Sequence, residues 1–328
     1  MIFMMKIEDR HFVYPYFLYL KRSFVAIMFS GILPLYKPRG MTSHDCIYHL
    51  RKLLHMKKIG HTGTLDPEVD GVLPICLGNA TRIAQFLTAD NKAYKGVIRL
   101  GTSTTTEDMT GEVVEEKRVD GRWSRSEMQA VFHSFIGEVT QVPPMYSAVK
   151  VNGKKLYEYA RAGIKVDRPS RQVMILDLIL NTDEQVFSED IPFVVQCSKG
   201  TYVRTLAVDI GKQLGYPAHL LSLTRMRSGM FDLGDCVTFT DIELSLEKGQ
   251  FEAQLTPIHE ALKEMPRLDV DATTMQQVMN GAVLDRPKDF KNQLYTVYND
   301  QGECLAIYKQ HPTKPHLIKP ERVLSHGN

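Results

Sequence analysis

The chain has 328 residues, 43% of them hydrophobic and 24% charged, a balance that excludes a disordered, collagen-like or membrane-bundle chain and leaves a globular one. Its length suits one large core with a smaller module beside it. The net charge of +2 calls for no polyanionic partner by itself, so the distribution of charge matters more than its sum.

Residues 1–29 read as an irregular N-terminal extension. Its apolar segments, Phe12-Val-Tyr-Pro-Tyr-Phe-Leu-Tyr-Leu and Phe24-Val-Ala-Ile-Met-Phe, are interrupted by Lys21-Arg22, whereas a secretory peptide carries its positive charge ahead of the apolar run. Neither half reaches the roughly 20 apolar residues that span a bilayer. No membrane association is expected, Met28 is the expected initiator, and the function is sought downstream.

From Ile32 the pattern becomes regular. The apolar run Ile32-Leu-Pro-Leu-Tyr leads into a turn, Lys37-Pro-Arg-Gly, and then into a helix with Ser43 as its expected N-cap. Ile47, Leu50, Leu53 and Leu54 fall at helical spacing, and Arg51, Lys52, Lys57 and Lys58 give the helix a basic end. A glycine-rich loop follows from Gly60, then a strand over 72–77 and a helix over 80–87. Tyr94, Gly96, Ile98 and Leu100 alternate with Lys95, Val97 and Arg99, the period of a half-buried strand. Strands over 173–180 and 193–197 repeat that character, and helices are expected over 126–135 and 203–214. Without a strict βαβ rhythm, these elements predict an α+β fold with a mixed, largely antiparallel central sheet.

Around Leu255-Thr-Pro-Ile-His-Glu-Ala-Leu the chain passes through a hinge-like stretch ending at Pro266. Beyond it, strands over 294–297 and 304–308 flank the turn Asn299-Asp-Gln-Gly. So short a segment makes only a marginal core alone, which predicts a small β-rich module docked on the larger domain. The expected division is 30–255 for the larger domain and 256–328 for the module. Cys46, Cys76, Cys197, Cys236 and Cys304 are odd in number and never spaced as C-x-x-C, so they read as buried, reduced thiols of a cytoplasmic protein.

Chemistry is sought in the loop 60–71, where glycines and Pro67 shape the chain around Asp66. A phosphate-binding loop would need Lys and Ser/Thr after its last glycine, and Val72-Leu73 stand there instead. Three readings stay open on local grounds: a structural turn, which leads, then catalysis by Asp66, then a hard-cation site drawn from His61, Asp66, Glu68 and Asp70.

Several separated segments bear on that choice. Lys37-Pro-Arg-Gly-Met-Thr-Ser, Gly60-His-Thr-Gly-Thr-Leu-Asp-Pro, the block from Lys92-Ala-Tyr through Leu100-Gly101 to Thr104, Thr106, Asp108 and Gly111, the run Val142-Pro-Pro-Met-Tyr-Ser-Ala-Val-Lys-Val-Asn-Gly-Lys-Lys-Leu-Tyr-Glu-Tyr-Ala-Arg, and Gly200-Thr-Tyr-Val-Arg-Thr-Leu-Ala occur in this order. Together they resemble the motifs of bacterial tRNA pseudouridine-55 synthases of the TruB type, over nearly everything after Phe29. One departure is Glu68-Val69-Asp70, where the family commonly shows Leu-Ala-Thr or Leu-Ala-Ser.

The resemblance implies isomerisation of one uridine in the T loop of tRNA, with Asp66 as nucleophile. It places Arg204 beside that carboxylate, Tyr94 on the target uracil and Tyr202 near it in proton transfer. His61, five residues before Asp66, becomes a candidate RNA contact whose neutral and protonated forms are both accessible near pH 7. Isomerisation involves no net redox change, so neither cofactor nor metal is expected. From 150 to 171 seven basic residues, Lys150, Lys154, Lys155, Arg161, Lys165, Arg168 and Arg171, face only Glu158 and Asp167. Such a run is usually a solvated face. The resemblance makes it part of a thumb-like insertion over about 141–171 that closes on RNA. Lys37 is a further expected RNA contact. Lys309, Lys314, Lys319 and Arg322 extend the basic surface into a module resembling the PUA type. The rival readings are a tRNA-binding chaperone using the same surface and a related synthase acting on another RNA. A monomer is expected.

Overall fold

The computed structural model describes residues 29–88, 91–291 and 293–324. The expected N-terminal extension therefore lies outside the described residues, except for Phe29, whose ring packs edge-on against Phe251.

The main sheet is built from β1 (Gly31–Lys37), β2 (Ile59–His61), β3 (Asp70–Leu77), β4 (Lys92–Leu100), β5 (Gly137–Gln141), β6 (Arg171–Leu180), β7 (Asp190–Cys197), β8 (Ala218–Ser228) and β9 (Phe231–Asp232). Its order is β1-β3-β8-β4-β7-β6-β5, with β2 added to β3 and β9 to β8. Every pairing is antiparallel except the short contact of β3 with β8, where Asp70 and Gly71 lie beside Thr224 and Arg225. The mixed, largely antiparallel α+β architecture is the one the sequence predicts.

Helices α1 (Ser43–Leu53), α2 (Arg125–His133), α3 (Leu156–Arg161) and α4 (Val203–Leu214) follow the same order in the chain. Met128 and Phe132 of α2 and Leu206, Ala207 and Ile210 of α4 share one buried cluster with Leu73, Ile75, Ile98, Phe193 and Val195 of the sheet. That burial fixes α4 relative to β8 and β4, and so fixes the arginine on its first turn. Ile47 and Leu50 of α1 join the cluster, as their spacing predicts.

One expected cap moves by a residue. Thr42, not Ser43, is the N-cap of α1: its hydroxyl accepts from the Asp45 amide, and the Asp45 carboxylate accepts from the Thr42 amide. Ser43 is buried inside the first turn, where its hydroxyl accepts from Leu65 N at 2.9 Å and donates to Leu65 O at 3.2 Å. The residue assigned to end a helix instead ties that helix to the glycine-rich loop.

The C-terminal part forms a five-stranded sheet from Arg267–Asp269, Leu284–Asp285, Tyr295–Tyr298, Cys304–Gln310 and Leu317–Val323. It docks on the main sheet through a buried apolar cluster joining Ile307 and Leu324 to Ile32, Val72, Cys76 and Ala80. Arg82 Nη1 also donates to the Val323 carbonyl at 2.6 Å. Thr256 still exchanges two backbone hydrogen bonds with Ile32, so the chain runs along β1 before the small sheet begins at Arg267. The five cysteines are unpaired; Cys46, Cys76 and Cys197 are buried, whereas Cys236 and Cys304 are only partly so. Among the described residues no helix is long and apolar enough to cross a membrane.

Candidate active site

The loop between β2 and β3 is held from several sides. Leu65 and Val69 are buried, 5% and 7% exposed, and act as apolar anchors on either side of Asp66. Thr62 N donates to Pro74 O at 3.1 Å, and Val69 N closes a turn on Asp66 O at 3.1 Å. The Pro67 carbonyl accepts from Gly40 N at 2.9 Å and from Lys37 Nζ at 3.0 Å. Each tie takes a backbone group that burial would otherwise leave unsatisfied, so the loop has one conformation to adopt.

The position of Lys37 corrects the sequence reading. Its side chain is fully buried, and its ammonium donates to the carbonyls of Pro38 and Pro67 rather than facing solvent, so it braces the loop and offers nothing to a phosphate. Burial pulls its pKa down, and Asp70, Glu68 and Asp66 partly offset that fall.

Gly71 ends the loop with φ at +105°, and a Cβ there would lie 2.3 Å from the Arg225 carbonyl oxygen. Only glycine allows this approach of β3 to β8. The approach brings Arg225 under the loop, with its Nε donating to Val72 O at 2.6 Å and its Nη2 to Gly63 O at 3.3 Å.

Asp66 projects into the cleft with 43% of its side chain exposed, and its Oδ2 lies 3.0 Å from Arg204 Nη2. Arg204 is buried on the first turn of α4. Its Nη1 donates to Thr106 O at 2.7 Å and its Nη2 to Tyr146 O at 2.9 Å, while Asp108 Oδ2 stands 3.7 Å from Nη1. Asp108 is in turn fixed by the hydroxyls of Thr106 and Thr110, each at 2.6 Å. The guanidinium is thus clamped by two carbonyls and shared by two carboxylates. Desolvation pushes the Asp66 carboxyl above the usual carboxylate range; Arg204 opposes the rise and the charge on Asp108 adds to it.

Tyr94 on β4 and Tyr202, just before α4, line the same cleft of about 490 Å³, together with Tyr146 and Tyr157. That volume falls within the range of about 300–1,000 Å³ usual for small-molecule sites. Tyr202 is set by a backbone clamp: its amide donates to the side-chain oxygen of buried Gln141 at 2.9 Å, and the Gln141 amide donates to its carbonyl at 3.1 Å. Arg171 lies over the Tyr202 ring, 5.3 Å from its centroid. The structure therefore brings together Asp66, Tyr94, Tyr202 and Arg204 as the sequence reading expects.

His61 behaves differently. It is not part of the cleft lining; its Nδ1 accepts from Gly63 N at 3.3 Å, and its ring meets His44 edge-on. Burial, aided by His44 and Arg225, pulls its pKa down to about 4, so only the neutral form exists near pH 7. The loop acids do not converge either. Asp70 accepts from Tyr36 Oη at 3.0 Å and Thr224 Oγ1 at 2.6 Å, whereas Glu68 is exposed.

The basic insertion carries a hairpin, Lys150–Val151 with Lys154–Lys155, whose turn residues Asn152 and Gly153 have φ of +49° and +83°. Asn-Gly is the preferred pair for such a two-residue turn. Lys150, Lys154 and Arg161 are exposed, while Lys155 is half-buried with its ammonium 5.3 Å above the Tyr157 ring. Arg161 lies 5.4 Å from that ring, which reaches the cleft. Tyr157, the Thr106 and Tyr146 carbonyls and Arg225 are site features the sequence reading does not assign.

The family description "TruB family pseudouridylate synthase (N terminal domain)" matches residues 51–203, and "tRNA pseudouridylate synthase B C-terminal domain" matches 204–265. The chain belongs to the TruB family of pseudouridine synthases. As a member it is an isomerase. The tRNA pseudouridine synthase B of Halalkalibacterium halodurans is 53% identical over 299 residues, covering 90% of this chain and 98% of that one. The enzyme of the same name from Bacillus subtilis is 52% identical over 303 residues, with coverage of 90% and 98%. Among solved structures, a Cbf5-Nop10-Gar1 complex contains a chain with TM-score 0.69 and 27% identity, covering 93% of this chain and 88% of that one. The two matched family segments meet between Val203 and Arg204, inside the first turn of α4, so their join is no boundary in the fold.

Proposed function

We propose that this synthase isomerises uridine 55 in the T loop of tRNA to pseudouridine, with Asp66 as nucleophile. The tRNA substrate is supported by the names of relatives about half identical over 90% of the chain. The observation that carries the site assignment is the Asp66–Arg204 pair in a cleft walled by Tyr94 and Tyr202.

The reaction breaks the bond from C1′ to N1, turns the uracil and joins its C5 to C1′, with loss of the C5 proton and gain of a proton at N1. No electrons are gained or lost overall, so no cofactor is required. Asp66 attacks the sugar or the uracil, or takes a sugar proton, and each route needs the ionised carboxylate. Arg204 keeps it charged against desolvation. Tyr94 stacks on the uracil and Tyr202 serves proton transfer. A loop base cannot reach Asp66 while stacked, so the nucleotide is extruded into the cleft. Lys150, Lys154 and Arg161 on the insertion offer exposed charge to the RNA backbone, while the half-buried Lys155 ammonium lies against the Tyr157 ring that reaches the cleft. His61 contributes through the loop it hydrogen-bonds, as a neutral ring. In this reading 30–255 is the catalytic unit, 141–171 its thumb and 256–328 an RNA-binding module, in a cytoplasmic monomer.

The test is tritium release from C5-labelled uridine in a tRNA transcript. Wild type releases label and loses it when position 55 is cytidine, while Asp66→Asn binds the transcript and releases none. Release by Asp66→Asn at the wild-type rate overturns the nucleophile, and release that survives the cytidine change overturns the position.

A further inference from the structure

Strand β8 brings a second arginine to the site that the mechanism above leaves unused. Arg225 is 1% exposed and heads the fully buried side chains by volume. It donates to the carbonyls of Val72 and Gly63 and hydrogen-bonds the Tyr94 side chain, a neutral phenol, and among the described residues no carboxylate pairs with it. Carbonyl oxygens satisfy donors but leave the positive charge uncompensated, and a buried ion without an opposite charge is costly. Asp66 does not supply that charge, because its partner is Arg204. Arg225 nevertheless lines the cleft with Asp66 and Tyr94. Its Nη1 reaches beneath the catalytic loop, 3.8 Å from where a Gly63 Cβ would stand.

A fixed cation that is unpaired at rest suits an anion that forms only during the reaction. When the C1′–N1 bond breaks at the sugar, its electron pair stays on uracil, spread over N1, O2 and O4. The Asp66 carboxylate either bonds to C1′ or takes the sugar proton. The ring carries that charge until its C5 bonds to C1′, Asp66 is released, and the C5 proton leaves with N1 protonated. We infer that Arg225 is a charge-stabilising residue that holds the detached uracil anion in the cleft between cleavage and reattachment. This rests on the reading that the cleft receives the target uridine. A preorganised charge aimed at a developing anion in a closed site acts more strongly than it would in water.

The test compares two substrates on one protein preparation. Single-turnover loss of the N1-linked nucleoside is followed in tRNA transcripts carrying uridine or 5-fluorouridine, whose fluorine stabilises the departing anion without help from the enzyme. Arg225→Met, neutral and of similar length, is expected to slow uridine cleavage about 100-fold and 5-fluorouridine cleavage about 10-fold, on the scale of losing one such stabilising group. Arg225→Lys, which keeps the charge, recovers most of the uridine rate. The ratio of the two substrate rates is independent of how much of a variant is folded, so it remains readable if Arg225→Met melts early. Equal slowing on both substrates in Arg225→Met and Arg225→Lys alike overturns the inference and leaves Arg225 as a staple between Gly63 and Val72. Full activity of Asp66→Asn would instead sink the reading of the cleft, an outcome the substrate ratio cannot mimic.

Discussion

The ammonium of Lys37 and the carbonyl of Pro67 meet at 3.0 Å beneath the loop that carries Asp66, so the residue after Asp66 is anchored to the end of β1. Loss of that contact frees the loop from the end of β1. Lys37→Met is expected to cost roughly 1.5–3 kcal/mol of stability, the scale of a hydrogen bond to a charged group. The single-turnover rate falls as well, while tRNA affinity and its salt dependence stay at wild-type values. Thermal melting, rapid quench and filter binding check the three parts. A steep loss of affinity with a reduced salt slope would return Lys37 to the RNA surface.

The acid limb of the pH–rate profile is expected to follow the Asp66 carboxyl. Its carboxyl titrates above the ordinary carboxylate range, so activity disappears as pH falls at a higher value than a solvated aspartate would give. Arg204→Met removes the group that opposes this rise, and the limb moves further toward neutral pH. His61, whose pKa lies at about 4 because of burial, is neutral throughout the working range. His61→Gln should leave the limb where it is. Single-turnover rates from pH 5 to 8 for the three proteins decide the assignment, and a limb that shifts with His61 would transfer it to the imidazole.

The same raised carboxyl has a consequence for stability. A folded-state pKa above the unfolded value means that the native state holds the proton more tightly, so stability declines as pH rises through the window between the two values. Above that window the ionised Asp66 is a net burden on the fold. Asp66→Asn removes the burden and is expected to raise the Tm at pH 7–8, with the gain vanishing below about pH 4, where the unfolded carboxyl is also protonated. Calorimetry at pH 4 and pH 8 reads the difference; a lower Tm for the variant at pH 8 would contradict the desolvation account.

The sequence exposes the parts of this molecule whose side chains alternate cleanly. β4, β6 and β7 show the period of a sheet with one buried face, and α4 begins and ends where its pattern predicts. β8 does not show it, although it lies at the centre of the sheet: Ser222 and Thr224 stand among its apolar residues, Arg225 and Ser228 are buried, and two register shifts break the alternation. Hidden with that strand is Arg225. Lys37 and Ser43 were legible as motif residues but not in their roles, because a buried amine or hydroxyl acts through carbonyls and amides that no side-chain pattern reveals. Asp66 was ambiguous on its loop alone and became specific only through the motifs around Arg204, Tyr94 and Tyr202. The Asn152-Gly153 pair of the insertion is a hairpin-turn signal legible in the sequence, independent of the charge around it.

The insertion's charges should separate by what already occupies them. Lys150, Lys154 and Arg161 are exposed, and each phosphate contact they make releases counterions when tRNA binds. Replacing all three by alanine is expected to lower the slope of log affinity against log salt by about 2–3, at roughly 0.7–0.9 per contact. Lys155 differs in its burial: Arg161 lies 5.4 Å from the Tyr157 ring but is exposed, whereas Lys155 is half-buried with its ammonium 5.3 Å from the same centroid and its backbone amide donating to the Glu158 carboxylate at 2.9 Å. Lys155→Ala should therefore leave the salt slope nearly unchanged and instead slow the single-turnover step, because the tyrosine it steadies reaches into the cleft. Filter binding over a salt series, paired with rapid-quench rates, separates the two behaviours; a slope change for Lys155→Ala equal to that of Lys154→Ala would show that its charge is given to the RNA and not to the ring.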